Sequence, residues 1–330
     1  MTNRIWILGA ADQEMAAIES LLTECGERFA HATISGRRVT AGEAYRAECP
    51  TELGDTVYRV ECAWDGCVSA SVATIDHHEP GHPGHCVPAS DFLRGSSLGQ
   101  VITELARLDV LPEEWGELFL GVDPSEIGQF AFDADGQEWG VRARAADVEM
   151  SCLSGCCGYY AHASVKIPIE LVLTAAADHC LAAAYAGQCP GVTREALLAF
   201  RAREKAAFIS RKKPGITEET VRADIDRAIT AIQSAPTVSL SGSVTAVDMR
   251  GQRVNELPEA AAVIGTGFVA DGLPGPDGRR KIILQSATPE QIAAWPDFAR
   301  AIGLVDCYGG DPARGFAGGY LPANGAADAP

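Results

Sequence analysis

Three short apolar runs near the start of the chain, each followed at once by acidic residues, constrain the fold more than any other feature. RIWILGA (Arg4–Ala10) ends in Gly-Ala and suits a buried strand. In DQEMAAIESLLTECG, which follows, Met15, Ile18, Leu21, Leu22 and Cys25 keep helical spacing and Gly26 supplies the stop. TVYRVEC (Thr56–Cys62) and SVATID (Ser71–Asp76) read as two further strands. A strand–turn–helix opening of this kind belongs to sheets covered by helices, so the expected class is α/β with a parallel sheet flanked by helices.

The later chain changes character twice. SSLGQVITELARL is a helix with Ser96 or Ser97 as its cap, and KIPIELVLTAAADHCLAAAYAG is a long Ala-rich one with Asp178 and His179 in its interior. From Thr193 to Ala235 the pattern is helical throughout, with Thr193 and Thr217 opening two halves around a solvated SRKKPG turn. Short strands then dominate (TVSLSG, VTAVDMR, KIILQSA), with one helix between Pro289 and Gly303 and a Gly-rich close, YGGDPARGFAGGYL. A chain of 330 residues has room for two domains. The expected division is a metal- and phosphate-binding domain over 1–192, a helical linker over 193–235 and a smaller α/β substrate-binding domain over 236–330, ending in a disordered tail.

Ligands of parallel sheets bind beyond the carboxyl ends of the strands. Setting the first three strands side by side brings Asp12 with Glu14, Glu61 with Asp65, and Asp76 with His77 and His78 to one edge. Carboxylates mixed with imidazole favour Mn²⁺ or Mg²⁺ over structural zinc. One or two such ions would clamp a phosphate and activate water. The bland readings stand beside this one. Asp12 and Glu14 are also favourable simply as acids at a helix start, and Glu61 is equally readable as an ordinary strand-end residue.

Four of the seven histidines lie in TIDHHEPGHPGH. His77 and His78 are the site candidates, whereas Pro and Gly around His82 and His85 point to an exposed loop. His31 and His162 default to buried structural roles. Ser96 and Ser97 are caps first, although free amides at that helix end also suit a phosphate. The glycines of Gly309–Gly319 make either a plain turn or a phosphate cradle, and Arg314 among them favours an anion.

Composition limits the partners. With 27 basic against 44 acidic residues the net charge is −17, which disfavours long duplex nucleic acid. No apolar run is long enough to span a membrane. Eleven cysteines, an odd number without a leader-like segment before them, are expected as reduced thiols of a cytoplasmic protein. Cys152, Cys156 and Cys157 offer zinc ligands with His162, but adjacent cysteines suit one ion poorly, and buried or loop thiols are the better reading.

IDHHE after a strand, then a Pro/Gly loop, then FLRGSSLGQVITELARL, resembles the third motif of the DHH phosphoesterase superfamily. YGGDPARGFAGG (Tyr308–Gly319) is similar to the Gly-Gly-His-Pro…Ala-Gly signature of the associated C-terminal domain. The two matches bracket nearly the whole chain. The resemblance implies His77 as a metal ligand, His78 as a phosphate-binding residue, Asp76 as the group orienting both histidines, and Asp178 as the ligand of the fourth motif. Ser96, Ser97, Gly309, Gly310, Arg314, Gly318 and Gly319 would contact substrate. Asp12, Glu14 and Glu61 would complete the metal set, with Asp65 as the alternative to Glu61. The sequence departs from the family in its first motif, where AADQE places Ala10 at the histidine and Glu14 at the second aspartate, and again at Asp311, which replaces a histidine. The site would then hold one ion, hold two with altered geometry, or borrow His82, His85 or His179 as a ligand. The implied activity is metal-dependent hydrolysis of a phosphodiester or phosphoanhydride in a small nucleotide or short oligonucleotide. A catalytically degenerate nucleotide-binding protein, or a nucleotide-modifying transferase using the same cleft, are the alternatives.

Overall fold

The structure, a computed structural model, describes residues 3–51, 54–66, 71–112, 115, 129–132, 139–142, 167–211, 213–275 and 278–322. Its first sheet is parallel, ordered β2 (Phe29–His31), β1 (Arg4–Leu8), β5 (Thr56–Val60), β6 (Ser71–Ile75). Alternation along β1 explains why both faces are covered. Trp6 and Leu8 enter a core with Met15, Ile18 and Leu22 of α1 (Gln13–Glu24), while Ile5 and Ile7 join Ala32, Val57 and Trp64 on the other side. Helices α1, α2 (Phe92–Gly95), α3 (Ser97–Arg107) and α4 (Ile169–Tyr185) supply the first face. The second face is closed by the small hairpin of β3 (Thr33–Ile34) and β4 (Arg37–Arg38) and the 3₁₀ turn at Ala44–Arg46. Strands β7 (Gln129–Phe132) and β8 (Trp139–Arg142) form a separate antiparallel pair.

The register brings the carboxyl ends of three strands into line. Leu8 pairs with Val60, and Val60 with Ile75, so Gly9, Glu61 and Asp76 leave the sheet side by side. A Cβ on Gly9 would stand 2.3 Å from the Glu61 carbonyl oxygen, so the close approach of these two strand ends depends on glycine.

Helices α5 (Arg194–Ser210) and α6 (Glu218–Ser234) follow, capped by the hydroxyls of Thr193 and Thr217. They contribute to two cores. Leu197 and Phe200 pack into the first, whereas Ala202, Ala206, Val221 and Ile225 pack beneath the second sheet. That sheet is mixed and runs β13 (Val305–Asp311), β14 (Phe316–Tyr320), β12 (Lys281–Gln285), β11 (Phe268–Asp271), β10 (Val244–Asp248), β9 (Thr237–Ser241), parallel only between β10 and β11. Phe268 and Ala270 face α6 and α7 (Leu257–Ile264), and Val269 faces α8 (Pro289–Ala301).

Several elements differ from what the sequence leads one to expect. Helix α7 is short and, apart from the buried Glu259, carries only alanine, proline and larger apolar residues, so burial leaves it no polar stripe to read. The Gly-rich close is a β-hairpin in which Gly309, Gly310, Gly318 and Gly319 are strand residues, a setting glycine seldom occupies. Helix α4 is interrupted by non-helical geometry at Cys180 (φ −154°, ψ 52°), just after Asp178 and His179. No helix among the described residues is long and apolar enough to cross a membrane. The expectations for Cys67, Cys152, Cys156, Cys157, His162 and the tail after 322 lie outside the described residues.

Candidate metal centre

Four elements each deliver one side chain to the edge where β1, β5 and β6 end. Glu14 comes from the first turn of α1, Glu61 from the residue after β5, His77 from the loop after β6, and Asp178 from α4. Glu61 has φ +49°, a left-handed backbone that costs a non-glycine residue about 1–3 kcal/mol. The chain therefore breaks away from the sheet there, with the amide of Glu61 still bonded to the Ile75 carbonyl at 3.0 Å.

His77 Nε2 lies 3.3 Å from Glu61 Oε1 and 3.1 Å from Asp178 Oδ2. Donor atoms of Glu14, Glu61, His77 and Asp178 all lie within 4.8 Å of one another. Glu14 Oε2, Glu61 Oε1, His77 Nε2 and Asp178 Oδ2 are nevertheless buried without a hydrogen bond, so the two short contacts of His77 have ion-pair distance but not hydrogen-bond alignment. Native proteins rarely leave even one buried polar atom unpaired. Four facing a common point fit a cation, and three carboxylate oxygens with one imidazole suit Mn²⁺ or Mg²⁺. His78 joins Glu61 and His77 in an overlapping group of three.

The tautomer of His77 follows from its neighbours. His179 Nε2 can only donate to the Val87 carbonyl at 2.8 Å, which leaves Nδ1 of a neutral His179 as an acceptor. That nitrogen is 3.2 Å from His77 Nδ1, which must then carry the proton. Nε2 of a neutral His77 is left with a lone pair toward the carboxylates, the arrangement a metal ligand requires. His179 is kept neutral by burial first and by the proximity of His77, which bring its pKa down to about 4. Its ring packs so closely on α2 that a Cβ at Gly95 would come within 2.4 Å of it.

The electrostatics show what the centre demands. Burial raises Glu14 well above the usual carboxylate range, and the charges of Asp178 and Glu61 raise it further. Asp12 is pushed up to about 7, first by the protein around it and then by the same two carboxylates, although water reaches its side chain. His77 is pulled down by burial and by the charge of Arg314, but Asp178 and Glu61 outweigh both and lift it to about 9. Protons thus collect where positive charge is wanted. The side chain of Asp178 remains 29% exposed, so solvent approaches the centre from that side.

Asp76 is fully buried and organises the loop after β6. Its Oδ1 accepts from the amides of His77 and His78 at 2.7 and 3.0 Å and from His78 Nδ1 at 2.9 Å. Tyr45 donates its hydroxyl to Oδ2 at 2.9 Å, and Gln100 clamps the Asp76 backbone through both its amide and its carbonyl. Burial raises the Asp76 pKa, but the His78 bond outweighs it and holds the group at about 2.

The remaining sequence candidates are placed as follows. Asp12 caps α1, accepting from the Met15 amide at 2.7 Å, and stands outside the four-residue group. Asp65 is exposed, and Ala10 offers no donor. Ser96 caps α3 through the Gly99 amide and Glu14 Oε1 takes the Leu98 amide, so both serines are fully buried and two of the helix's free amides are filled by protein. Gly318 and Gly319 are buried against Tyr308 and Cys307, while Gly309 and Gly310 are exposed. Of the C-terminal candidates, Arg314 reaches the centre electrostatically, acting on His77, Asp178 and His179. His82 is not a free loop residue. Its ring stacks on Tyr45 and its Nδ1 is 3.2 Å from Asp76 Oδ1. His31 is exposed rather than buried, 3.1 Å from Glu19. Sequence reasoning passed over Tyr45 and Gln100, since nothing in their local pattern separates them from an ordinary turn tyrosine and a polar helix residue.

No family model matches the chain, and no curated protein does. Among solved structures, a pGpG-specific phosphodiesterase, PggH from Vibrio cholerae, aligns over 97% of this chain and 94% of its own at 11% identity, with a TM-score of 0.38. A superposition that loose fixes no residue's role.

Proposed function

We propose that this protein is a divalent-metal-dependent phosphoesterase that hydrolyses a phosphodiester or phosphoanhydride bond in a small nucleotide. The observation that carries the reading is the convergence of four buried donor atoms, from Glu14, Glu61, His77 and Asp178, none of them hydrogen-bonded. Those residues would hold Mn²⁺ or Mg²⁺. When bound, the ion supplies positive charge for the phosphate oxygens and acidifies water for the attack.

The chain's own residues do the rest. Nδ1 of His78 is fixed by Asp76, leaving Nε2 of a half-buried ring for a phosphate oxygen. Asp76, itself held by Tyr45 and Gln100, sets the direction of His77 and His78 together. Arg314 adds a cation from the C-terminal sheet, where phosphate charge would accumulate. With a net charge of −17, the surface admits a mono- or dinucleotide more readily than a long polyanion.

The test is hydrolysis of linear dinucleotides, cyclic dinucleotides and pyrophosphate, with and without Mn²⁺. Metal-dependent turnover is expected, reduced by at least ~10²-fold in His77→Ala, on the scale of removing a charge-stabilising group. Ala10, which contributes no donor, favours a second reading: a protein that binds a nucleotide without cleaving it. Intact ligand retained by a folded wild type with no product would establish that reading instead.

A further inference from the structure

The loop after β6 meets β13 at a second cluster of donors that the phosphoesterase reading does not use. One donor atom each from His85, Cys86 and Asp311 lies within 4.8 Å of the other two. His85 and Cys86 belong to the N-terminal sheet's loop and Asp311 to the C-terminal sheet, so the cluster spans the junction between them.

Asp311 is almost fully buried at 2% exposure. Its two carboxylate oxygens receive backbone amides, Cys86 on Oδ2 at 3.0 Å and Ala313 on Oδ1 at 2.8 Å. The nearest ionisable nitrogen is His85 Nδ1, 3.7 Å from Oδ2 and beyond hydrogen-bond reach. That nitrogen is itself buried with no hydrogen-bond partner. The buried His85 nitrogen, left unpaired beside the negative charge of a buried carboxylate, is placed to share a cation with it. Cys86 completes the set. It holds a left-handed backbone (φ +60°) and is exposed, so solvent can supply a fourth ligand.

The geometry points to a thiophilic divalent-cation site, of the Zn²⁺ class, formed by His85, Cys86 and Asp311 across the junction of the two sheets. One thiolate, one imidazole and one carboxylate with an open position match zinc chemistry, whereas the oxygen-rich centre at His77 matches Mn²⁺ or Mg²⁺. The thiol would lose its proton to the solvent as the ion binds. The ion would tie the histidine-rich loop to the strand pair that carries Arg314. This inference is independent of the phosphoesterase reading.

Cobalt tests it, because thiolate-bound Co²⁺ absorbs in the near ultraviolet and Co²⁺ bound only by carboxylate and imidazole does not. The full chain, stripped with a chelator, is titrated with Co²⁺ as wild type, Glu61→Gln, Cys86→Ser and Asp311→Asn, with folding checked by circular dichroism. The band should develop in wild type and Glu61→Gln, and be lost in Cys86→Ser and weakened in Asp311→Asn. Wild type without the band, or Cys86→Ser that retains it, overturns the site. A second measurement needs no variant of Cys86: Zn²⁺ should slow alkylation of Cys86 in wild type by about tenfold or more, read by peptide mass, and lose that protection in His85→Gln. An alkylation rate unchanged by Zn²⁺ counts against the proposal whatever the variants do.

Discussion

At the scale of single residues, the centre is a cluster of carboxylates that the fold can tolerate only with positive charge in its midst. In the metal-free protein that charge is protons, and the sign of the consequence follows from two groups. Asp12 takes up its proton near pH 7 in the folded state against about 3.8 unfolded, so the stability it permits at low pH is lost as the pH climbs between those values. His77 is raised from 6.5 to about 9, so its contribution is complete below 6.5 and lost as the pH passes through 9. Both act in the same direction, whereas His179, lowered from 6.5 to about 4, opposes them below pH 6.5. The metal-free protein should therefore lose thermal stability steadily from about pH 6.5 to pH 9. A bound divalent ion replaces the protons, so the rise in Tm produced by saturating Mn²⁺ should be small at pH 5 and large at pH 8. Scanning calorimetry with and without the ion checks this. A Tm increment that does not depend on pH would show that the cation binds elsewhere.

At the scale of elements, the site depends on how strand ends meet, and this is where the sequence was partly legible. Short apolar runs with acids after them placed β1, β5 and β6, and helical spacing and capping placed α1 and α3, because a strand covered on both faces reads as an apolar run and a helix buries one stripe. Glu14, Glu61 and His77 could be nominated because each stands beside such a recognisable element, whereas Asp178, inside a helix, was nominated only through the resemblance. That three strand ends share one edge was readable as well, but the closing of the four donors to within 4.8 Å was not, since it depends on the in-step register of the strands and on the approach of α4. Tyr45 and Gln100 were hidden for the same reason, as was the hairpin of β13 and β14, whose glycines are chosen to admit Tyr308 and Cys307. Gly9 is the sharpest test of the register. A methyl group there meets the Glu61 carbonyl at 2.3 Å, and the obstacle is backbone, which cannot swing aside as a side chain would. Gly9→Ala should cost about 1–3 kcal/mol, the usual penalty of overpacking. It should also weaken Mn²⁺ binding more than an equally destabilising substitution in the distant α8 core, such as Ile292→Val. Denaturant melts paired with metal titrations decide it. Equal affinities in the two variants would separate the strand-end packing from the centre.

At the scale of the whole molecule, one side chain connects the parallel sheet to the mixed sheet through the helices between them. Arg201 of α5 donates through Nη1 to Gln13 Oε1 at 2.7 Å, and Gln13 opens α1 immediately before Glu14. Through Nε and Nη2 the same guanidinium pairs with Glu259 of α7 at 3.0 Å, and Glu259 also accepts the Tyr185 hydroxyl of α4. Four helices thus meet on one charge. Glu259 is only 6% exposed, whereas Arg201 keeps 26% of its side-chain surface. Removing the arginine strands a buried carboxylate, which in a fully enclosed pair costs about 3–5 kcal/mol. The exposure of Arg201 brings the expectation for Arg201→Met down to about 2–3 kcal/mol. Most of that loss should come from Glu259 rather than from the missing attraction. Adding Glu259→Gln to Arg201→Met should then restore part of the stability, because the amide can keep the Tyr185 bond without a charge to bury. Gln13 would remain released in both variants, so Mn²⁺ affinity should stay lowered even where the Tm recovers. A double-mutant cycle read by urea melts and metal titration resolves the two effects. Strict additivity of the melts would mean that Arg201 and Glu259 do not act as a pair, and affinity recovering together with the Tm would mean that α1 is held in place by other contacts.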